Sequence, residues 1–201
     1  MQKRIGFLVT VAVSALALVG CGQQQKSGTG QNNLKSDMAT DQVVNWSETQ
    51  DLVTLDPSKL TEPIDLTMNG NVNEGLYRLG NHHKIEPGIA TGANVSKDGK
   101  TYTFALRKNA KWSNGDPVTA KDFVYSWKRT INPKTASQYG YIFDGIKNAN
   151  QIQANKVTAD QLGVKALSDQ KLQVSLERPI PYFKLLMAFP IFFPQNQNAV
   201  E

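Results

Sequence analysis

The stretch from 91 to 112, TGANVSKDGKTYTFALRKNAKW, constrains the fold more than any other part of the chain. Its Asp98-Gly99 pair favours a tight hairpin turn, because glycine adopts the positive φ angle that such turns need. After the turn, every second residue is large and apolar: Tyr102, Phe104 and Leu106. This alternation places the apolar side chains on one face of a strand, so the stretch predicts a hairpin with a buried face.

A turn and a helix are predicted directly after the hairpin, over 113–133. Asn114-Gly115 is a turn signal, and Thr119 followed three residues later by Asp122 is a helix start. The helix is expected to end before Pro133 and to bury three side chains: Phe123, Val124 and Trp127.

The remaining elements are strands and helices without a regular βαβ period. Residues 43–48 predict a short strand, and 55–66, with two prolines, predict a loop before a helix. A strand follows at 171–176, with a proline break at 179–181 and an apolar helix from about Tyr182. The predicted class is therefore mixed α/β.

The first 20 residues have the parts of a secretory signal peptide. Lys3 and Arg4 are followed by 5–20, a run of 16 residues without charge. A membrane-spanning helix needs about 20 apolar residues, so this run is short for a permanent anchor. We expect residues 1–20 to be removed and the rest of the chain to be exported.

Cys21 is the only cysteine, and it follows the apolar run directly. Together with the preceding residues Leu18-Val19-Gly20, Cys21 resembles the bacterial lipobox. This resemblance implies that Cys21 carries a diacylglyceryl thioether and anchors the chain to the membrane. The alternatives are that Cys21 is a buried structural cysteine or forms an intermolecular disulfide. However, the residues after Cys21 are polar, so there is no hydrophobic core for the thiol to enter. Residues 21–40 lack aromatic side chains and predict a flexible tether.

Charge gives no support for nucleic acid binding. Removal of Lys3 and Arg4 leaves 22 − 2 = 20 basic residues against 17 acidic ones, a net charge of +3. These basic residues are scattered along the chain, as on an ordinary solvated surface.

The residues also offer no enzyme site. His82 and His83 are the only histidines, and as neighbours in sequence they do not converge on one metal or nucleophile, so a solvated loop pair is predicted. A phosphate loop is missing, and carboxylate pairs such as Asp51 with Asp56 fit ordinary surface loops. We therefore predict no catalytic residue, no metal ligand and no cofactor.

Several motifs together resemble the oligopeptide-binding lipoproteins of peptide-importing ABC transporters, solute-binding protein family 5. In chain order they are LDPSK (55–59), NEGLY (73–77), PGIA (87–90), DGKTYTFALRKNAKWSNGDPVTAKDFVYSWKR (98–129), NPKTASQY (132–139), LGVKALSDQKLQVSLERPIPYF (162–183) and FFPQN (192–196). The resemblance implies a type II periplasmic-binding-protein-like fold. Because such receptors are more than twice as long, it also implies that this chain is an N-terminal part. Residues 41–73 and 180–201 would belong to lobe I and 74–179 to the inserted lobe II.

The same resemblance implies where a peptide would bind. Thr61, Glu62 and Pro63 lie in the loop that runs alongside the peptide in lobe I, and Tyr139 matches a ligand-contacting tyrosine of lobe II. The alternative is that Tyr139 lies at the rim of the site with its hydroxyl in water. Trp112 and Trp127 are expected in the core, since both lie in the hairpin-helix block.

In this family an extended peptide is held between lobes by main-chain hydrogen bonds, and the closed receptor delivers it to the permease subunits. The implied protein is a monomer, lipid-anchored on the outer face of the cell membrane. Receptors for another solute (a dipeptide, a nickel chelate or a sugar) and pheromone or adhesion lipoproteins stay open as alternatives. Because this chain supplies only one side of the clamp, we expect it not to bind short peptides at micromolar concentration. We also expect its apolar residues 182–193 to be exposed.

Overall fold

A four-stranded antiparallel sheet organises the computed structural model, which describes residues 41–201. The sheet has the strand order β3-β4-β6-β5, and a separate antiparallel pair, β1-β2, precedes it. The strands are β1 Tyr77–Leu79, β2 Ile85–Pro87, β3 Ala90–Val95, β4 Thr101–Leu106, β5 Val164–Ser168 and β6 Lys171–Ser175. The predictions for residues 1–20, for Cys21 and for the 21–40 tether lie outside the described residues.

The predicted hairpin is β3-β4, and the prediction is confirmed. Ala93 pairs with Phe104 and Val95 with Tyr102, and Gly99 in the turn has φ +68°. All three alternating residues of β4 are buried in the core, where Tyr102 packs against Phe183 and Phe104 packs against Tyr77.

Five α-helices surround the sheet in the described part of the chain: α1 Pro63–Val72, α2 Ala120–Ile131, α3 Ala149–Gln153, α4 Phe183–Leu186 and α5 Gln197–Val200. A short 3₁₀ turn at 57–59 precedes α1, and further 3₁₀ turns lie between the helices at 81–83, 133–135, 140–143, 159–161 and 190–192. The longest helix, α2, starts at the predicted cap: the Thr119 N–H donates to Asp122 Oδ2 over 2.6 Å, and the Thr119 hydroxyl accepts from backbone N–H groups of the first turn. Pro133 follows its end, as predicted.

The α2 helix packs on β5 and buries an aromatic cluster at the centre of the domain. Phe123 and Trp127 are fully buried, as predicted, whereas Val124 is only half-buried. The Trp127 ring packs edge-on against Phe143 and Phe192, with ring centroids 6.1 and 5.4 Å apart.

The predicted strand at 43–48 is wrong. These residues have no regular secondary structure and are exposed; Val43 and Trp46 expose 72% and 57% of their surface. A strand is stable only with hydrogen-bonded neighbours, and no described strand pairs with this segment.

The predicted apolar helix from about Tyr182 is present as a single turn, α4. The expectation that the apolar residues 182–193 are exposed is wrong, because most of them are covered. Phe183 lies 4.8 Å from the Tyr102 ring, measured between centroids, and Phe183, Met187 and Phe192 are at most 1% exposed. The hairpin and α2 provide this cover, since Tyr102 of the hairpin packs against Phe183 and Trp127 of α2 packs against Phe192.

The predicted lobe boundaries at 73 and 180 stay a prediction. Within the described residues, 46–201 form one compact unit, and its buried core takes side chains from 76 to 192. No helix among residues 41–201 is both long and apolar enough to cross a membrane.

Candidate functional site

The predicted residues Thr61, Glu62 and Pro63 lie where α1 begins. Pro63 is the first helical residue, and Glu62 is the capping position, although its side chain makes no capping hydrogen bond. Thr61 and Glu62 are half-buried and Pro63 is exposed. The Glu62 carboxylate is therefore available to a partner outside the helix.

Buried polar side chains of α1 hold the preceding chain along the helix. Asp65 Oδ1 accepts from the Val53 and Thr54 N–H groups, over 2.9 and 3.3 Å, and Asn69 Nδ2 donates to the Leu55 carbonyl over 2.9 Å. Glu62 lines an open cavity of 520 Å³ beside this chain, together with Glu48, Thr49, Gln50, Asp51 and Val53. The segment therefore forms one wall of a groove at the start of α1.

Tyr139 lies at the start of the 3₁₀ turn 140–143 and is half-buried. Its ring packs edge-on against Phe189, with centroids 5.6 Å apart, and lies 6.3 Å from the ring of Tyr141. The ring is thus a packing element as well as a candidate contact for a ligand.

The structure does not bring Glu62 and Tyr139 into one cavity. The cavity beside Glu62 is lined by residues 48–53 and does not include Tyr139. The two positions are linked through the protein, because Phe189 directly precedes the turn 190–192, which packs against α1.

A second polar cluster, absent from the sequence-based predictions, joins three distant motifs. Arg129 on α2 donates to both carboxylate oxygens of Asp56 over 2.6 and 2.7 Å and to Gln195 Oε1 over 2.9 Å. Bidentate guanidinium-carboxylate pairs are strong and geometrically specific. The pair therefore fixes the 55–59 motif and the 192–196 motif to the same side of α2.

Buried hydroxyl and amide groups complete this cluster. Gln195 Nε2 donates to Ser58 Oγ over 2.8 Å, and Ser58 Oγ lies 2.7 Å from Thr130 Oγ1, which donates to the Ser126 carbonyl. Ser58, Thr130 and Gln195 are at most 3% exposed. Because every one of these polar side chains has a partner, the cluster is consistent with a fixed structural joint.

The charges in this joint reinforce each other. Burial raises the pKa of the Asp56 carboxyl, but hydrogen bonds from Arg129 and the Ser58 N–H, with the positive charges of Arg129 and Lys59, lower it by more, so the net pKa is lowered. The hydrogen bond to Asp56 in turn raises the pKa of Arg129, against the opposite effect of burial. Both groups are therefore charged at neutral pH.

The other singled-out residues have ordinary environments. Trp127 is a core residue, as predicted, and its Nε1 donates to the Phe192 carbonyl over 2.9 Å. Trp112 is only half-buried, so its prediction as a core residue is wrong in part. His82 is exposed at a φ of +59°, which agrees with a solvated loop. Among residues 41–201, no group of three or more metal-ligating side chains occurs.

A family match accounts for the arrangement of these motifs. The family described as bacterial extracellular solute-binding proteins, family 5 Middle, matches residues 84–201, which is more than half of the chain. The chain belongs to this family. Family 5 proteins are solute-binding proteins and not enzymes.

Individual relatives are similar in sequence over nearly the whole length of this chain. The dipeptide-binding protein of Lactococcus lactis subsp. cremoris is 41% identical over 199 residues, which are 99% of this chain and 34% of the relative. The oligopeptide-binding protein OppA of Bacillus subtilis is 37% identical over 202 residues, which are 100% of this chain and 36% of the relative. The chain thus spans about a third of the length of these relatives.

The fold is shared with a solved family 5 structure. The structure of Listeria monocytogenes OppA bound to peptide superposes with a TM-score of 0.78 at 42% sequence identity, over 81% of this chain and 32% of that protein. The predicted fold class is therefore confirmed: the chain is a mixed α/β part of the oligopeptide-binding-protein fold.

Proposed function

We propose that the chain acts within an extracytoplasmic receptor that captures oligopeptides and delivers them to an ABC importer, anchored to the membrane through a lipid on Cys21. The observation that carries this proposal is the structural match with the peptide-bound Listeria monocytogenes OppA. The signal-like residues 1–20 and the lipobox-like run before Cys21 support the location and the anchor.

In this proposal, the start of α1 and Tyr139 both contact the peptide. The half-buried Glu62 offers a carboxylate to the amino terminus or a basic side chain of a peptide, and Thr61 and Pro63 shape the adjoining backbone. Tyr139 offers a hydroxyl on a ring that Phe189 holds in place. Main-chain hydrogen bonds common to all peptides supply affinity without strong sequence selectivity.

A dipeptide is the second candidate ligand. The Lactococcus relative is named a dipeptide-binding protein and is 41% identical, slightly more than the 37% of the Bacillus subtilis OppA. The two candidate ligands differ in length, so testing peptides of increasing length distinguishes them.

A chimera tests the proposal in a complete receptor. This chain replaces the matching third of Bacillus subtilis OppA, and the chimera is produced in a strain that lacks its own oligopeptide-binding protein and needs one amino acid. Growth is measured with that amino acid supplied only within dipeptides or only within tri- to pentapeptides. Growth on the longer peptides is expected, while growth on dipeptides alone indicates the second candidate.

A control variant shows whether residues of this chain, and not only the Bacillus residues of the chimera, are needed for growth on peptides. Glu62→Ala is expected to slow growth on peptides while leaving the amount and melting temperature of the chimera unchanged, since Glu62 makes no capping hydrogen bond. A folded, membrane-bound chimera that supports growth on no peptide contradicts the proposed function.

A further inference from the structure

The four-stranded sheet has one face in the core and one face toward solvent. Alternate side chains of β4 and β6, such as Phe104 and Val174, are buried, and the residues between them are half-buried or exposed. We call the solvent side of β3, β4, β5 and β6 the outer face. One row of register partners crosses it from β3 to β5: Asn94, Thr103, Gln173 and Lys165.

Two exposed lysines lie close together on the part of the outer face formed by β5 and β6. Lys165 on β5 is the register partner of Gln173 on β6. Lys171 lies two residues before Gln173 on the same strand, so it points to the same side of the sheet. The two lysines are therefore diagonal neighbours across the strand pair.

Lys147 extends this row past the start of β5. Its N–H donates to the Ser175 carbonyl, and its carbonyl accepts from the Gly163 N–H, both over 2.9 Å. Its Cβ lies 2.6 Å from the position that a Cβ of Gly163 would have. Because 163 alternates with the buried Val164, this position belongs to the outer face. The three lysines thus stand beside 175, beside 173 and at 171, positions that are about 7 Å apart along β6.

The three lysines of the outer face have no carboxylate partner in the described part of the chain. The carboxylates at the two ends of the row are bound elsewhere. Asp169 Oδ1 lies 3.5 Å from Lys121 Nζ, and Glu177 Oε1 accepts from the Asn148 N–H over 2.9 Å. The positive charge of the row is therefore not neutralised by these two neighbours.

The chain around the sheet has the same sign of charge. Residues 76–180 contain 16 basic and 8 acidic residues, a net charge of +8, whereas residues 41–75 contain 1 basic and 7 acidic residues, a net charge of −6. The outer face thus lies in the positive part of an unevenly charged molecule. Such a surface attracts an anionic partner.

We propose that the outer face docks on the anionic phospholipid surface of the membrane to which the protein is tethered. Lys147, Lys165 and Lys171 contact the lipid phosphates and hold the domain in one orientation on the bilayer. The nearness of the membrane rests on the proposed lipid anchor at Cys21, whereas the positive charge of the face does not. A tether over 21–40 has a coil dimension of about 25 Å, so it allows the domain to reach the lipid surface.

A membrane fits this face better than a soluble polyanion does. Leu167, which lies in the irregular end of β5 next to Ser168, exposes 50% of its surface. An exposed leucine beside lysines gains free energy in the interfacial layer of a bilayer, where apolar and positive side chains are both accommodated. A soluble polyphosphate offers a partner to the lysines alone.

Vesicle binding by an unlipidated receptor tests the docking. The chimera with Bacillus subtilis OppA described above is produced from residue 22 onward, so it lacks both the apolar run 5–20 and Cys21. Co-sedimentation measures its partition onto vesicles of equal parts phosphatidylglycerol and phosphatidylcholine, and onto vesicles of phosphatidylcholine alone. Binding is expected only with phosphatidylglycerol, and it should weaken with added salt, because salt screens exposed charges.

Matched lysine variants locate the binding surface. The outer-face variant combines Lys147→Gln, Lys165→Gln and Lys171→Gln. Its partition coefficient is expected to fall about 100-fold, since each lysine near an anionic surface contributes about a factor of five. The control variant removes the same charge from exposed lysines outside the four-stranded sheet, by Lys84→Gln, Lys134→Gln and Lys156→Gln. Little change is expected in the control, because charges farther than a Debye length from the lipid are screened.

A soluble anion distinguishes the membrane from other polyanions. Leu167→Ser is expected to cause a partial loss of vesicle binding and to leave any binding of polyphosphate unchanged. The melting temperature of every variant is compared with that of the unsubstituted chimera, so that a loss of binding is not mistaken for unfolding.

Three results would overturn the proposal. They are a folded chimera that does not bind phosphatidylglycerol vesicles, equal losses in the outer-face and control variants, and binding of polyphosphate without binding of vesicles. If the chimera does not fold, the same comparison is made with residues 22–201, and absence of vesicle binding there also contradicts docking. The assay uses neither a peptide nor the lipid on Cys21, so its result is independent of the growth test of the proposed function.

Discussion

Arg129 and Asp56 form a bidentate ion pair, with N–O distances of 2.6 and 2.7 Å, although 73 residues separate them in sequence. The pair joins the helix α2 to the motif 55–59, and Gln195 brings the motif 192–196 to the same guanidinium group. Three motifs that resemble family 5 proteins therefore meet at one joint, which explains their occurrence together without a catalytic role.

We predict that Arg129→Met lowers the free energy of unfolding by about 2–3 kcal/mol, because Asp56 and Gln195 lose a charged partner that burial makes hard to replace with water. Urea unfolding of the 201-residue chain measures this change. Arg178→Met is the matched control: its pair with Asp144 is exposed on both sides, so little change is expected. Equal effects of the two substitutions would contradict a special role for the joint.

The stability of the chain is predicted to depend on the ionisation of Asp56 at acidic pH. Because the pKa of Asp56 is lowered in the folded protein, its contribution is fully present above the unfolded value, near 3.8, and is lost as the pH falls through the lower folded value. The stability difference between wild type and Asp56→Asn should therefore shrink below about pH 4. Asp98 and Asp144 also have a lowered pKa, and the comparison removes their shared effect. A difference that is constant from pH 7 to pH 2 would disprove this contribution.

Substitution by alanine at Gly75 and at Gly70 should change the stability of the protein in opposite directions. A Cβ atom at Gly75 would lie 2.5 Å from the Phe193 ring and 2.8 Å from the Met187 carbonyl, so Gly75→Ala is expected to cost about 1–3 kcal/mol of stability. A Cβ atom at Gly70 in α1 meets no atom within 4 Å, and Gly70→Ala should stabilise by about 0.5–1 kcal/mol. Thermal unfolding of both variants checks the signs, and a neutral Gly75→Ala would mean that 193 does not pack there.

Tyr139 is predicted to contact the peptide through its hydroxyl. In the chimera, Tyr139→Phe should weaken peptide affinity by about 0.5–1.5 kcal/mol, the size of one net hydrogen bond, and leave the melting temperature of the empty protein unchanged. Tyr139→Ala also removes the packing against Phe189, so it should lower stability as well. Calorimetric titration with a tri- to pentapeptide pool is the measurement. Unchanged affinity in Tyr139→Phe would leave the tyrosine with a packing role alone.

Cys21 is predicted to be the site of membrane attachment. Cys21→Ala should prevent lipidation, so that the protein is released in soluble form or remains as an uncleaved precursor. Fractionation after a carbonate wash, with mass measurement of the N-terminus, distinguishes these states from the anchored protein. Membrane retention of Cys21→Ala with the wild-type N-terminal mass would rule out the lipid anchor.

Features that depend on near neighbours in the chain were predictable from sequence. The β3-β4 hairpin follows from Asp98-Gly99 and the alternation after it, and the start of α2 follows from Thr119 and Asp122. In both cases the deciding hydrogen bonds or φ angles involve residues within a few positions of one another. The resemblance to family 5 proteins was likewise visible in the motifs, and the family match confirms it.

Tertiary structure alone decided which of these parts meet. Sequence could not show that Asp56, Arg129 and Gln195 share hydrogen bonds, because their partners lie 66 to 73 positions away. It also predicted an exposed apolar segment at 182–193 and a strand at 43–48. The first is buried because the hairpin and α2 offer a matching apolar face, and the second is not formed because no described strand pairs with it. Apolar burial and strand pairing both need a partner surface, and only the folded chain determines where that surface lies.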